Sequence, residues 1–193
     1  MKVIDIMCDS ARLLGLGNEC DILCDQTKDE TEKMEDQTIR HLFELAKLSI
    51  RELCTNYAPV LTTSDVDTTN KTYAINKLTN CIRVEGVTQN GNTVNYKIIN
   101  RNINFEQDGK YTIEYSSYPS FSNLDDDLTF LQEYGLDVAV FGLCAYYCLT
   151  KGLFEDFDKY YQTYQEKASA LKDMKVFMMP QRRWQWKLKK ELW

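Results

Sequence analysis

The stretch that decides the fold is NCIRVEGVTQNGNTVNYKIIN, residues 80–100. Val, Ile, Thr and Tyr recur here with a period of two, which is typical of strands with one buried face. Asn90-Gly91 lies between two such runs and favours a tight hairpin turn, because both residues accept a positive φ. The stretch therefore predicts two antiparallel strands that meet at Asn90-Gly91.

Segments of the same character flank this hairpin: VLTTSDV (60–66), KTYAI (71–75) and GKYTIEYSSYP (109–119). Asp108-Gly109 predicts a second turn of the same chemistry. Together these segments predict a small antiparallel sheet of four or five strands between residues 60 and 116.

Helical spacing of apolar residues on both sides of the sheet predicts four helices, over 3–14, 32–57, about 131–152 and about 154–174. The acidic run Asp125-Asp126-Asp127 is expected to cap the third helix and to complement the positive end of its dipole. Residues 19–36 contain eight acidic residues and few apolar ones, and we interpret them as a solvated linker.

The resulting fold prediction is α+β. It consists of a four-helix bundle-like core, a small antiparallel β-sheet inserted between helices 2 and 3, and an extended C-terminal tail. We expect a single domain over residues 1–180, with the β-insertion at about 60–116, followed by a basic tail at 181–193.

Charge is unevenly distributed. The chain of 193 residues has a net charge of −6, of which residues 181–193 contribute +4 and the preceding 180 residues −10. An acidic body disfavours tight nucleic-acid binding, which depends on Lys and Arg neutralising phosphates. No apolar run approaches a membrane span, and Asp5 and Asp9 interrupt any signal-peptide core, so we expect a soluble protein that is not exported.

Seven cysteines, an odd number, favour a reducing compartment in which thiols act as small buried apolar groups. Cys20 and Cys24, like Cys144 and Cys148, are four residues apart, and with His41 they raise the question of a zinc site. Because Cys144 and Cys148 lie in an apolar helical run, the spacing more simply marks one buried helix face. We therefore predict no metal site.

The sequence contains no constellation typical of an enzyme. His41 is the single histidine, and Cys54 lies 13 residues along the same predicted helix, a separation of about 20 Å. Gly15-Leu16-Gly17 has neither the preceding strand nor the Lys of a phosphate loop. We expect no catalytic residues and no cofactor.

The C-terminal tail is the feature that a self-contained domain explains least. All three tryptophans lie in the last ten residues, interleaved with Arg and Lys. Trp and Arg are the residue types most enriched at interface hot spots. The tail residues that we predict to bind a partner are Arg182, Arg183, Trp184, Trp186, Lys187, Lys189, Lys190 and Trp193. Docking on another protein is the favoured interpretation. The alternatives are docking on the acidic body of the same chain, contact with a membrane, and binding to nucleic acid.

Several segments in a fixed order resemble the head–tail adaptor (connector) proteins of tailed bacteriophages. They are IRELCTNYAPVLTTSDV (50–66), IRVEGVTQNGNTVNYKI (82–98), DGKYTIEYSSYPS (108–120), FGLCAYYCLTKGLFEDFDKYYQTYQEKASAL (141–171) and MPQRRWQW (179–186). The resemblance covers about residues 39–186. Each motif is weak alone, and their shared order carries the resemblance; residues 19–36 depart from it.

The resemblance implies a helical bundle with an inserted β-region that assembles as a ring, typically of twelve copies, under the portal at the capsid vertex. Such a structural virion protein joins the head to the tail and lines the channel for genome ejection. The implied partners are further copies of the chain, the portal protein, on which the tail docks, the next tail or neck ring protein, and genomic DNA that passes without specific binding. No membrane partner is implied. The implied location is the virion neck, with assembly in the host cytoplasm.

Two alternatives stay open from the sequence. One is a tail-terminator or another ring protein of the phage neck. The other, from a different class, is a soluble cytoplasmic binding module whose basic Trp-rich tail docks on an acidic protein or on nucleic acid.

Overall fold

The computed structural model describes residues 2–133 and 135–178. Within them, the α-helices are α1 (Val3–Leu13), α2 (Gly17–Cys24), α3 (Glu30–Lys33), α4 (Gln37–Asn56), α5 (Leu136–Thr150) and α6 (Phe154–Met178). The strands are β1 (Val60–Thr68), β2 (Thr72–Ala74), β3 (Cys81–Gln89), β4 (Asn92–Thr93), β5 (Lys97–Ile99), β6 (Asn102–Asn104) and β7 (Gly109–Ser117). Short 3₁₀ turns occur at Ile75–Lys77 and Thr129–Glu133.

The strands form two antiparallel sheets, one of four strands in the order β1-β7-β3-β4 and one of three in the order β2-β6-β5. β1 pairs with β7 along its whole length, from Val60 opposite Ser117 to Thr68 opposite Gly109. β3 pairs with the other side of β7, with register shifts at two places. β7 is therefore a central strand of the larger sheet.

The sheets have a hydrophobic core of their own. Val87, Ile103 and Ile113 are fully buried in it, and the rings of Phe105 and Tyr111 stack with their centroids 4.2 Å apart. Ile103 lies on β6 of the three-stranded sheet, whereas Val87 and Ile113 lie on β3 and β7 of the four-stranded sheet. Burial of these side chains therefore holds the two sheets together.

A second core lies among the helices. Leu42 and Leu53 of α4, Leu143 of α5 and Tyr164 of α6 are fully buried there. Asp36 caps α4, accepting hydrogen bonds from the backbone N–H groups at positions 38 and 39. Val60, Ile82 and Tyr118 are partly buried against this helical core, so the start of the larger sheet is attached to the helices.

The predicted four-helix bundle-like core with a small inserted sheet is wrong. Two antiparallel sheets of four and three strands, with their own core, form a major part of the fold, and the described residues contain six helices. The period-two pattern located the strand region, but β2, β4, β5 and β6 have only two or three residues. Such short strands leave too little pattern to indicate a second sheet.

The interpretation of residues 19–36 as a solvated linker is also wrong, because α2 and α3 lie there. Leu23 is 1% exposed and anchors α2 in the helical core. Asp29 and Glu32 form a reciprocal capping box at the start of α3. The Lys33 ammonium donates a hydrogen bond to the Leu23 carbonyl at 3.0 Å, which ties α3 to α2.

One of the two predicted turns is confirmed. Asn90 and Gly91 have φ angles of 50° and 79° and join β3 to β4. Asp108-Gly109 is not a hairpin turn, since the strands on either side, β6 and β7, belong to different sheets. The turn between β5 and β6 is formed instead by Asn100 and Arg101, at φ 50° and 61°.

The predicted cap of the third helix has a different role. The Asp126 carbonyl accepts a hydrogen bond from the Val3 N–H, and the Lys2 ammonium pairs with Asp125 at 2.9 Å. Backbone N–H groups of Asn123 and Ser122 donate to the Asp126 carboxylate and lower its pKa. The acidic run therefore holds the start of α1, and α5 begins after Gly135.

Candidate interaction surfaces

A first groove lies between α4 and residues 118–121, which follow β7. Its volume is about 330 Å³. The Lys47 ammonium lies 4.3 Å from the centre of the Phe43 ring, and the Arg51 guanidinium lies 5.1 Å from that of Tyr118. Leu48 is 47% exposed between these two cations. The groove is lined by Glu44, Lys47, Leu48, Arg51, Tyr118, Pro119, Ser120 and Phe121.

A second groove, of about 340 Å³, lies between α1 and α5. Asp9 pairs with Arg12 at 2.7 Å, and Asp137 pairs with Lys167 of α6 at 3.1 Å. Leu13 is 48% exposed, and its carbonyl accepts a hydrogen bond from a tyrosine of α6. The lining residues are Asp9, Arg12, Leu13, Asp137, Val140 and Phe141.

The two grooves differ in charge. Two cations and one carboxylate line the first groove, whereas two carboxylates and one cation line the second. Each groove also contains a leucine that is about half exposed to solvent in the isolated chain, Leu48 in the first and Leu13 in the second. Surfaces with complementary charge and an apolar centre are suited to contact each other.

The tail residues predicted to bind a partner lie outside the described residues. They are Arg182, Arg183, Trp184, Trp186, Lys187, Lys189, Lys190 and Trp193. Sequence reasoning missed both grooves. A usable signal was present for the first one: Leu48 lies off the buried face of α4, between two basic residues.

His41 lies on the surface of the helical part. Its Nε2 is 3.0 Å from Thr150 Oγ1, and this hydroxyl donates to the Tyr147 carbonyl. The histidine therefore donates to the threonine oxygen, with the proton on Nε2. This arrangement links α4 to the end of α5.

Glu52 is the hub of a polar cluster between α4, α5 and α6. Its carboxylate accepts hydrogen bonds from Tyr146 at 2.6 Å and from Tyr161 at 3.3 Å. Burial raises the pKa of Tyr146, and the hydrogen bond to Glu52 raises it further. Sequence reasoning missed this cluster, because its tyrosines lie 94 and 109 residues from the glutamate along the chain.

Replacing Glu52 by glutamine is expected to lower the free energy of unfolding by about 1 kcal/mol. Two charge-assisted hydrogen bonds become weaker neutral ones. Urea unfolding measures the change. Glu44→Gln is the matched control on the same helix, because its carboxylate pairs with Lys47 at the surface and should cost less than about 0.5 kcal/mol. Equal losses in the two variants would contradict the hub role.

In the part of the chain that the structure describes, no three His, Cys, Asp or Glu side chains are grouped to hold a metal ion. No helix here is long and apolar enough to cross a bilayer.

In comparisons with known proteins, no family model and no curated protein matches this chain.

Proposed function

We propose that this chain is a ring-forming head–tail adaptor of a tailed bacteriophage. In this proposal, copies form a ring, typically of twelve, under the portal, join the head to the tail and line the channel through which the genome leaves. The ordered motifs over residues 39–186 motivate the family. The observation that carries the ring is the pair of grooves with opposite lining charge.

A closed ring of identical chains needs two different surfaces on each copy, because its contacts are heterologous. The first groove offers Lys47 and Arg51, and the second offers Asp9 and Asp137. Contact between the first groove of one copy and the second groove of the next would bring these opposite charges together, in addition to their ion pairs within each chain, and would cover the exposed leucines.

The distribution of charge supports the remaining roles. Residues 1–180 carry a net charge of −10, which would leave a lumen that repels DNA and lets it slide. Residues 181–193 carry +4 and all three tryptophans. In the proposed assembly this tail docks on the portal protein, with the indoles as apolar anchors and the cations paired with acidic groups. The opposite end of the ring receives the next tail or neck ring protein.

Native mass spectrometry of the full chain, alone and with the portal protein encoded in the same genome, tests the proposal. We expect many copies to join the portal in a fixed ratio. Arg51→Glu and Asp137→Lys should each reduce ring formation at least tenfold, because each places like charges across the contact. The double variant should recover most of it.

Lys110→Glu, an exposed change on β7 outside both grooves, is the matched control and should assemble normally. Deletion of residues 181–193 should abolish binding to the portal. A chain that remains monomeric and ignores the portal would overturn the adaptor proposal and favour a binding module. If Arg51→Glu and Asp137→Lys each form rings as readily as the control, the proposed contact between the grooves is wrong, and the adaptor proposal itself is not affected.

A further inference from the structure

Three cysteines from two helices converge beside the second groove. Cys24 of α2 lies with its Sγ 3.3 Å from Cys8 Sγ of α1. The Cys20 thiol, one turn earlier on α2, points at the Cys8 carbonyl at 3.9 Å. Cys8 and Cys20 are buried, whereas Cys24 is exposed. In the sequence, the spacing of Cys20 and Cys24 raised only the question of a zinc site, since the third member of this group comes from another helix.

We propose that Cys8 and Cys24 form a redox-active pair that closes to a disulfide between α1 and α2 on exposure to a small-molecule disulfide such as oxidised glutathione. A disulfide bond is about 2.0 Å long, so the two sulfur atoms, already 3.3 Å apart, need to approach by roughly 1.3 Å. Both thiols are free in this structure.

Cys24 is the residue that reacts first. It is exposed to solvent, so an attacking disulfide can reach its sulfur directly, and the Arg12 guanidinium donates a hydrogen bond to this sulfur at 3.7 Å. The Cys24 thiolate attacks one sulfur of oxidised glutathione and expels one glutathione thiolate. The product of this step is a mixed disulfide between Cys24 and glutathione.

Cys8 completes the reaction. Its thiol loses a proton to solvent, and the resulting thiolate attacks Cys24 Sγ and expels the second glutathione. In total two protein thiols are oxidised to one disulfide, and one oxidised glutathione is reduced to two glutathione thiols. Burial raises the pKa of the Cys8 thiol, so the second step should accelerate as pH rises.

The pair does not depend on the proposed function. One consequence does rest on it: a protein assembled in a reducing cytoplasm and carried outside the cell would close this bond after release. The bond would then fasten α2 to α1, which packs in the helical core.

The test uses the full chain incubated with oxidised glutathione, followed by alkylation of remaining thiols, proteolysis and mass spectrometry. We expect a linked pair of peptides that contain Cys8 and Cys24, reversed by dithiothreitol. Because the bond closes a loop of roughly 15 residues, the oxidised chain should melt about 5–10 °C above the reduced chain.

Two variants make the test selective. Cys24→Ser changes an exposed side chain and should lose both the linked peptides and the rise in melting temperature. Cys81→Ser, on β3 in the sheet, should keep both. A disulfide bond that involves Cys20, a glutathione adduct that persists on Cys24, or no reaction at either Cys8 or Cys24 would each overturn the proposal.

Discussion

Replacing Gly142 by alanine is expected to lower the free energy of unfolding by about 2 kcal/mol. Gly142 lies within α5, where a Cβ atom would overlap Ser49 Oγ of α4 and approach two ring carbons of Tyr164 of α6 at 3.1 Å. Overpacking a well-packed site costs about 3 kcal/mol at its upper range, and the better helix propensity of alanine returns about 1 kcal/mol. Urea unfolding measures the net loss.

Ser49→Ala is expected to relieve much of this loss when it is combined with Gly142→Ala. Ser49 Oγ is the closest atom to the added methyl group, and it is buried without a hydrogen-bond partner in the described structure. The double variant should recover at least about 1 kcal/mol, a coupling that a double-mutant cycle isolates.

Gly17→Ala is the matched control for this prediction. Gly17 is the first residue of α2, and a Cβ atom there meets nothing within 4 Å. We expect its effect to stay within about 0.5 kcal/mol. A Gly142→Ala variant as stable as this control would show that α4, α5 and α6 can separate at no cost, contrary to the packing described.

The sequence predicted those parts of the fold that depend on long local patterns. α4 and α6 were found because they are long helices, of 20 and 25 residues, whose apolar residues repeat at helical spacing over several turns. The Asn90-Gly91 turn was found because its φ angles restrict which residues fit. α3 has four residues, and β4 has two, so neither displays a full period of its element.

Local patterns could not predict the candidate surfaces, since each surface joins residues that are distant in the chain. The second groove brings Asp9 and Arg12 of α1 beside Asp137 of α5. Cys8 and Cys24 meet because α2 folds back on α1. Composition and spacing carry no information on which helices become neighbours, so the sequence could not place these side chains together. The predicted tail binding of residues 182–193 stays a prediction, because these residues lie outside the described part.

Alkaline pH is expected to destabilise the protein steeply, and Tyr164 is a principal cause. Tyr164 is fully buried, and burial raises the pKa of its hydroxyl above the value of about 10 of an unfolded chain. Above pH 10 the unfolded state therefore binds fewer protons than the folded state. The contribution of Tyr164 to the free energy of unfolding is fully present below about pH 10. Above that pH it falls by about 1.4 kcal/mol per pH unit.

Tyr164→Phe isolates this contribution. At about pH 11.5 the wild type should have lost about 2 kcal/mol more than the variant, relative to their stabilities at pH 7. At pH 7 the variant should be about 1 kcal/mol more stable than the wild type, because the Tyr164 hydroxyl is buried without a partner in the described structure. Urea unfolding across this pH range gives both quantities.

Ser49→Ala is the matched control for the alkaline loss, because it also removes a buried hydroxyl that has no partner among the described residues. The serine hydroxyl does not titrate in this range, so the control should gain stability at pH 7 and yet keep the wild-type slope above pH 10. A Tyr164→Phe variant that keeps the same slope as this control would show that Tyr164 ionises in the folded protein as it does in the unfolded chain. Water would then reach its hydroxyl, and the packing of α6 on α4 and α5 would be looser than described.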